Sequence, residues 1–151
     1  MKTVIGWDIG GVNIKATRLE IGCWMPNFQA PPPHIRAASR YFEIWREKEA
    51  LPSILRDLQQ ALGPADAMGV TMTAELSDAF RHKREGVGFV FEKVKEAFPG
   101  IPLYALDLEG NWRNLYEDFG DLIAFAATNW IAEGLMVAER KPDCLLIDIG
   151  S

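Results

Sequence analysis

The feature that most constrains this chain is a pair of adjacent glycines that follows an apolar stretch almost at the N-terminus. Residues 4–11 read VIGWDIGG, and the apolar, partly β-branched residues before the glycines are typical of a buried strand. Residues 13–20 predict an antiparallel return strand. Gly10 and Gly11 are expected to allow positive φ and a close approach of a ligand to main-chain N–H groups. The turn therefore predicts either an anion-binding concavity or only a tight hairpin.

Polar side chains around this turn suggest what it could bind. Asp8 lies at the end of the first strand, where a carboxylate could hold Mg²⁺ through water. Asn13, Lys15 and Thr17 share one face of the return strand, because side chains alternate with period two. An amide and a cation would then point the same way. The alternative is a structural hairpin whose lysine is simply solvated.

Composition excludes several classes of partner. The net charge of −5, a pI near 5.1 and the lack of a lysine or arginine block argue against nucleic acid. No apolar run of transmembrane length and no signal-peptide pattern is visible, so we expect no membrane partner and a cytoplasmic protein. Cys23 and Cys144 match no metal or redox spacing and are expected to be reduced thiols.

The pattern along the chain predicts an α/β architecture with a mixed sheet and helices on its faces. A third strand is expected at 21–29, although Pro26 would make it an edge strand, and residues 34–45 give no clear pattern. The remaining expectations are a helix at 47–62, a strand at 66–73, a helix at 87–98, a strand at 103–108 and a long helix at 118–139.

The last residues repeat the pattern of the first turn. Residues 145–151 read LLIDIGS, which is again an apolar strand followed by Asp, Ile and Gly. We therefore predict one lobe over 1–142 and the first strand and turn of a second lobe over 143–151. A lobe of this kind by itself is expected to lack full activity and to self-associate through its open cleft face.

Two strand–Asp–Ile–Gly turns about one lobe apart resemble the phosphate loops of the actin, Hsp70 and sugar-kinase superfamily. That resemblance implies a ribonuclease-H-like lobe with a five-stranded mixed sheet. It also implies a polyphosphate between the two turns, with Mg²⁺ held through water by Asp8 and Asp148, and ATP as a candidate ligand. The phosphate-binding residues would be Gly10, Gly11, Asn13, Gly150 and Ser151.

A second resemblance is narrower. Residues 69–80 (GVTMTAELSDAF), residues 85–87 (EGV), residues 107–111 and residues 127–130 (ATNW) are similar to blocks of the hydantoinase/oxoprolinase-like family. The similarity is greatest to its tetrahydromethanopterin-linked one-carbon-transfer members, some of which serve methanofuran biosynthesis. The match spans nearly all of this chain but less than half of a typical member.

That family implies a transferase that forms an alkyl–aryl ether, in which a phenol oxygen displaces diphosphate from an activated aminomethylfuran. On this interpretation Asp8, Lys15, Glu75 and Asp148 are catalytic, and Thr71, Thr73, Asp78 and Asn129 bind substrate. Glu75 and Asp78 are candidates for the general base. The alternatives are that the threonine hydroxyls are satisfied locally, that Thr73 caps the next helix, and that Glu75 only complements a helix dipole.

Three functions from different classes remain open at this point. The first is the ether-forming transferase, which would take a small substrate bearing a diphosphate. The second is an ATP-dependent kinase or hydrolase, which the paired turns alone would predict. The third is an inactive lobe that acts as a binding module.

Overall fold

The computed structural model describes residues 2–21, 34–117 and 120–147. Its strands are β1 (Lys2–Ile9), β2 (Asn13–Ile21), β3 (Ile35–Tyr41), β4 (Ala67–Met72), β5 (Leu103–Leu106) and β6 (Trp112–Asn114). Its α-helices are α1 (Ile44–Glu47), α2 (Leu51–Leu62), α3 (Lys83–Ala97) and α4 (Asn129–Arg140). Short 3-10 turns lie at Lys48–Ala50, Ala74–Leu76 and Leu122–Phe125. No helix in the described ranges combines the length and apolar character needed to cross a bilayer.

All six strands form one mixed sheet in the order β3-β2-β1-β4-β5-β6. The first three strands are antiparallel neighbours, and β4 and β5 run parallel to β1. This is the α/β, ribonuclease-H-like arrangement predicted from the sequence. The sheet has six strands rather than five, because β6 folds back antiparallel on β5.

The core lies on one face of the sheet. Ile5, Trp7 and Ile9 alternate along β1 and are buried beneath α2 and α3, which pack on each other. The Trp7 ring stacks on Phe98 with ring centroids 5.3 Å apart. Full burial of each large apolar side chain contributes about 1.5–3 kcal/mol, so this layer fixes how β1 and β4 are placed. On the opposite face Gly6 is exposed and pairs in register with Gly69.

Two predicted helices form close to their expected positions. The first begins later than predicted, at Leu51, with Pro52 in its first turn, where a missing N–H costs little. The second begins earlier than predicted, because His82 caps it by accepting a hydrogen bond from the Glu85 N–H at 3.1 Å. Proline can follow a helix but cannot continue it, and α4 ends at Arg140, just before Pro142.

The long helix predicted over 118–139 is wrong. The described part of this stretch contains a 3-10 turn at Leu122–Phe125 and then α4, separated by Ala127 with a φ of 54°. An alanine in the left-handed region cannot continue a right-handed helix. The apolar spacing alone did not reveal this break.

The third strand also differs from the prediction. The strand that pairs with β2 is β3, in the stretch that gave no clear pattern. Most of β3 is exposed on both faces, so its sequence lacks the alternation that marks a half-buried strand. Residues 22–29, where the third strand was expected, lie outside the described residues.

Candidate functional site

The β1–β2 turn is tight because of Gly10. Its N–H donates to the carbonyl oxygen of Asn13 at 2.9 Å, and a Cβ built on Gly10 would lie 2.8 Å from that same oxygen. Neither Gly10 nor Gly11 adopts the positive φ that the sequence led us to expect. Gly10 is therefore required for close backbone approach, and its N–H is already used within the hairpin.

The start of the next helix holds the turn in place. Phe42 N–H donates to the Val12 carbonyl at 2.7 Å, and Ile44 N–H donates to the Gly11 carbonyl at 3.0 Å. Because the Gly11 and Val12 carbonyls accept hydrogen bonds from residues 42–44, the turn is held against the segment that leads from β3 into α1. A fixed turn presents its groups without an ordering cost when a ligand binds.

Asp8 has one oxygen that other groups do not satisfy. Its Oδ2 lies 3.3 Å from Lys15 Nζ, and Lys15 is largely exposed, so this ion pair is weak. Its Oδ1 is buried and has no hydrogen-bond partner among the described residues. A buried carboxylate oxygen without a partner is costly, and a divalent cation would satisfy it. Mg²⁺, which uses one or two carboxylates together with substrate phosphates, fits this arrangement.

The threonine block lies directly beside the glycine turn. Asp8 and Thr71 are register partners on β1 and β4, and the Thr73 N–H donates to the Ile9 carbonyl at 3.0 Å. The Thr73 hydroxyl lies 3.6 Å from the position that a Cβ on Gly10 would take. The structure thus brings together two motifs that lie about sixty residues apart in the sequence.

The two threonine hydroxyls have different surroundings. Thr71 is almost fully buried, and its hydroxyl donates to the Trp7 carbonyl at 3.2 Å, which supports the interpretation that it is satisfied locally. Thr73 precedes a 3-10 turn but its side chain makes no capping hydrogen bond, so the expected cap is wrong. Thr73 is only partly buried and is the better placed of the two to contact a ligand.

Glu75 lies inside the protein. Glu75 is only 2% exposed, and its Oε1 accepts a hydrogen bond from the Ala127 N–H at 2.7 Å. Burial raises the pKa of the Glu75 carboxyl, and the hydrogen bond from the Ala127 amide and the charge of Lys83 only partly oppose this. A general base must reach the proton it removes, and this burial does not suit that role.

The other candidate residues are more accessible. Asp78 is exposed in the loop that follows Ser77, and Ser77 Cβ lies 3.8 Å from where a Cβ on Gly11 would be. Sequence reasoning did not select Ser77, although it lies in the block that follows β4. Asn129 is the first residue of α4, and its side-chain oxygen accepts from the Trp130 N–H at 2.9 Å.

Three predicted residues of the second turn are not described. Asp148, Gly150 and Ser151 lie outside the described residues. The expectation that the two Asp-Ile-Gly turns face each other across a gap, and that Asp8 and Asp148 share Mg²⁺, therefore stays a prediction.

A second acidic turn joins β5 to β6. Asp107 is buried, and its Oδ1 accepts from the N–H groups of Glu109 at 3.0 Å and Asn111 at 2.8 Å. Its Oδ2 accepts from Arg113 Nε at 2.9 Å. Burial by itself would raise the pKa of Asp107, but the hydrogen bonds from Arg113 and the turn amides outweigh it and lower the pKa. Both oxygens are satisfied, so this carboxylate stabilises the β5–β6 hairpin.

Two tryptophans on opposite faces of the sheet have different surroundings. Trp7 is a core residue and is 2% exposed. Trp112 is half exposed, and its ring lies across the open face of the sheet, 2.9 Å from where a Cβ on Gly69 would be. Gly69 thus makes room for the Trp112 ring on this face.

Comparison with known proteins gives one clear sequence relative, and no family model matches the chain. The relative is the (4-{4-[2-(gamma-L-glutamylamino)ethyl]phenoxymethyl}furan-2-yl)methanamine synthase of Methanocaldococcus jannaschii, with 35% identity over 149 residues. These residues are 98% of this chain but only 41% of that synthase. The chain therefore spans less than half the length of the relative it matches.

Solved structures give looser matches. A Ppx/GppA phosphatase of Aquifex aeolicus matches with a TM-score of 0.45 and 16% identity, over 73% of this chain and 38% of that one. RuvC of Thermus thermophilus, solved with a Holliday junction substrate, matches with a TM-score of 0.44 and 14% identity, over 70% of this chain and 62% of that one.

Proposed function

We propose that this protein is a transferase of methanofuran-type one-carbon-carrier biosynthesis. It would join a diphosphate-activated aminomethylfuran to the phenol of γ-glutamyltyramine with loss of diphosphate. One observation carries the proposal: a relative that is 35% identical across 98% of this chain is a synthase whose name describes a phenoxymethylfuran product. Because the chain spans 41% of that relative, the activity is proposed for the full-length protein.

The chemistry of the first turn supports a diphosphate leaving group. In the reaction the phenol oxygen forms a bond to the furfuryl carbon while the bond from that carbon to diphosphate breaks. Negative charge then grows on the departing diphosphate, and fixed positive groups around it lower the barrier. Lys15 supplies a cation beside Asp8, and Gly11 and Asn13 lie in a turn that is already fixed.

Asp8 would hold Mg²⁺ through its unpartnered Oδ1, and Asp148 would add a second carboxylate. When bound, Mg²⁺ neutralises charge on the diphosphate oxygens. Gly150 and Ser151 would contribute phosphate contacts from the second turn. A cytoplasmic location is part of the same proposal.

The phenol proton needs an acceptor, and Asp78 is the better of the two candidates. It is exposed, and its neighbour Ser77 packs against Gly11. Glu75 is buried and bonded to the Ala127 amide, so it is not proposed as the base. Thr73 and Asn129 are proposed as substrate contacts at the edges of this cluster, whereas the Thr71 hydroxyl is already bonded to Trp7.

The test is a reaction of the full-length protein with γ-glutamyltyramine and the diphosphate-activated aminomethylfuran in the presence of Mg²⁺. We expect the ether, detected by mass spectrometry, and one diphosphate for each ether formed. An Asp78→Asn variant should lose most of the rate at neutral pH but keep substrate affinity. Absence of ether with the wild-type protein would overturn the proposal.

A second candidate function is an ATP-dependent kinase or hydrolase. The observation that favours it is the unpartnered Asp8 oxygen beside Lys15 and a glycine turn, which would suit any polyphosphate. Tight binding of Mg-ATP and its turnover by the full-length protein would support this function. Ether formation that is indifferent to ATP would support the transferase instead.

A further inference from the structure

The carboxylate of Glu75 links two distant segments of the chain. Its Oε1 accepts from the Ala127 N–H at 2.7 Å, across a sequence separation of 52 residues. The residue is 2% exposed, so this hydrogen bond is shielded from water. A buried hydrogen bond of this kind is effective in fixing a geometry, because breaking it would leave the Ala127 N–H without a partner away from water.

The residue at the other end of this bond has a rare backbone conformation. Ala127 has a φ of 54°, the only positive φ among the described residues other than glycine. This conformation ends the 3-10 turn at Leu122–Phe125 and sets the direction in which α4 starts. An L-residue persists in the left-handed region only where its surroundings favour it. The hydrogen bond from the Ala127 N–H to the Glu75 carboxyl does so here, and the Leu108 N–H separately holds the preceding 3-10 turn through the Ala124 carbonyl at 2.8 Å.

The opposite side of Glu75 is equally constrained. A Cβ on Gly86 of α3 would lie 2.6 Å from both Cα and Cβ of Glu75, and 2.9 Å from a ring atom of Phe80. Helix α3 therefore approaches Glu75 as closely as a glycine permits. Glu75 is thus held by α3 against its Cα and Cβ and by the Ala127 amide, just before α4, at its carboxyl group.

We propose that Glu75 is a positioning residue that acts through the Ala127 amide to set where α4 begins, and with it the placement of Thr128 and Asn129. The catalytic consequence rests on the proposed function, in which Asn129 contacts the substrate. Glu75 would then affect substrate binding without itself exchanging a proton with the substrate.

The test compares two variants of similar size in the full-length protein. Glu75→Gln keeps a side-chain oxygen that can accept from Ala127, whereas Glu75→Met removes the acceptor and leaves the Ala127 N–H buried without a partner. Glu92→Met, at an exposed position of α3, is the matched control. Amide hydrogen exchange at residues 127–129 reports the contact directly, whatever reaction the protein catalyses.

We expect Glu75→Met to speed exchange at Ala127 by about tenfold or more and to lower Tm by roughly 5 °C. Glu75→Gln and the control should leave that exchange near the wild-type rate. In an Ala127→Gly background, Glu75→Met should cost less in Tm, because glycine adopts positive φ without help. Unchanged exchange at Ala127 in Glu75→Met would overturn the proposal. If Glu75→Met does not fold, the double variant supplies the comparison.

Kinetics separate positioning from general-base catalysis. Loss of a general base costs about 10²–10⁴-fold in rate, so a base at this position would make Glu75→Gln nearly inactive. A positioning residue predicts that Glu75→Gln keeps kcat within about tenfold of wild type, whereas Glu75→Met changes KM for the substrate that Asn129 contacts more than it changes kcat. A larger loss of kcat would overturn the proposal. Failure of the proposed function would appear separately, as absence of ether from the wild-type protein.

Discussion

Two turns of this protein have a similar order of residue types, but their aspartates differ in their hydrogen-bond partners. Asp8 comes at the end of β1 and is followed by Gly10, with the basic Lys15 on the return strand. Asp107 comes just after β5 and is followed by Gly110, with Arg113 on the return strand. In each case an apolar strand, an acid, a glycine turn and a base occur in the same order.

The difference lies in how each carboxylate is satisfied. Both oxygens of Asp107 accept hydrogen bonds, from two amides of its own turn and from Arg113. Asp8 has a loose contact to Lys15 and a buried oxygen with no partner in the described parts of the chain. A satisfied carboxylate stabilises its own hairpin, whereas an unsatisfied one retains capacity for a ligand. The comparison therefore assigns Asp107 to the fold and Asp8 to the proposed site.

The largest expected effect is on activity. Asp8→Asn in the full-length protein should lower the rate of ether formation by about 100-fold or more. The variant would lack the carboxylate proposed to hold Mg²⁺, and the negative charge on the departing diphosphate would then be less well neutralised. Its Tm should stay within a few degrees of wild type, since Asp8 makes little use of its hydrogen-bonding capacity. Asp57→Asn, on the exposed side of α2, is the charge-matched control. A stability loss as large as that of an Asp107 variant would contradict the comparison.

Removal of Asp107 should have the opposite effect, with a loss of stability and no change in substrate KM. Asp107→Ala leaves two turn amides and the Arg113 guanidinium without their acceptor, and should lower the free energy of unfolding by about 2–3 kcal/mol. Urea denaturation monitored by tryptophan fluorescence would measure this loss, with Asp57→Ala as the control. At temperatures where the variant is folded, substrate KM should be unchanged. A variant as stable as wild type would show that the hydrogen bonds of this turn are dispensable.

The two glycines of the first turn should also separate. Gly10→Ala places a Cβ against the Asn13 carbonyl and should destabilise the protein by about 1–3 kcal/mol. Gly11→Ala meets only Ser77 Cβ at an ordinary contact distance, so its effect on stability should be within about 0.5 kcal/mol. Thermal unfolding of the two variants side by side tests this. Equal losses of stability would mean that a Cβ at position 11 is unfavourable for a reason other than steric contact.

The smallest effect concerns pH. The pKa of Asp107 is lowered in the folded protein from its ordinary value of 3.8. Its contribution to stability is therefore fully present above pH 3.8 and is lost as the pH falls through the folded pKa. The difference in unfolding free energy between wild type and Asp107→Ala should be constant near neutral pH and shrink in acid. Urea midpoints measured from pH 7 down to about pH 3 would show it. A difference that grows in acid would contradict this sign.

The fold was predictable where one face of an element is buried. The alternation of Ile5, Trp7 and Ile9 marks β1, and the leucine spacing of α2 marks a helix, because burial imposes the period of the backbone on the sequence. Strand β3 is exposed along nearly its whole length, so no such period exists. The break at Ala127 was invisible because alanine favours helix, and its left-handed φ is accompanied by a contact with Glu75, which lies 52 residues away in the sequence.

The candidate site likewise combines features that local sequence specifies with features that depend on distant contacts. The sequence by itself determined the glycine turn, the acid before it and the alternation that places Asn13, Lys15 and Thr17 on one face of the return strand, since these depend on neighbouring residues and backbone period. Only the tertiary structure decided that Thr73 lies beside Gly10, that Glu75 is buried against Ala127, and that Asp107 has both oxygens satisfied while Asp8 has one without a partner among the described residues. Whether a carboxylate is satisfied depends on donors that the fold brings from elsewhere in the chain, and local sequence does not specify them.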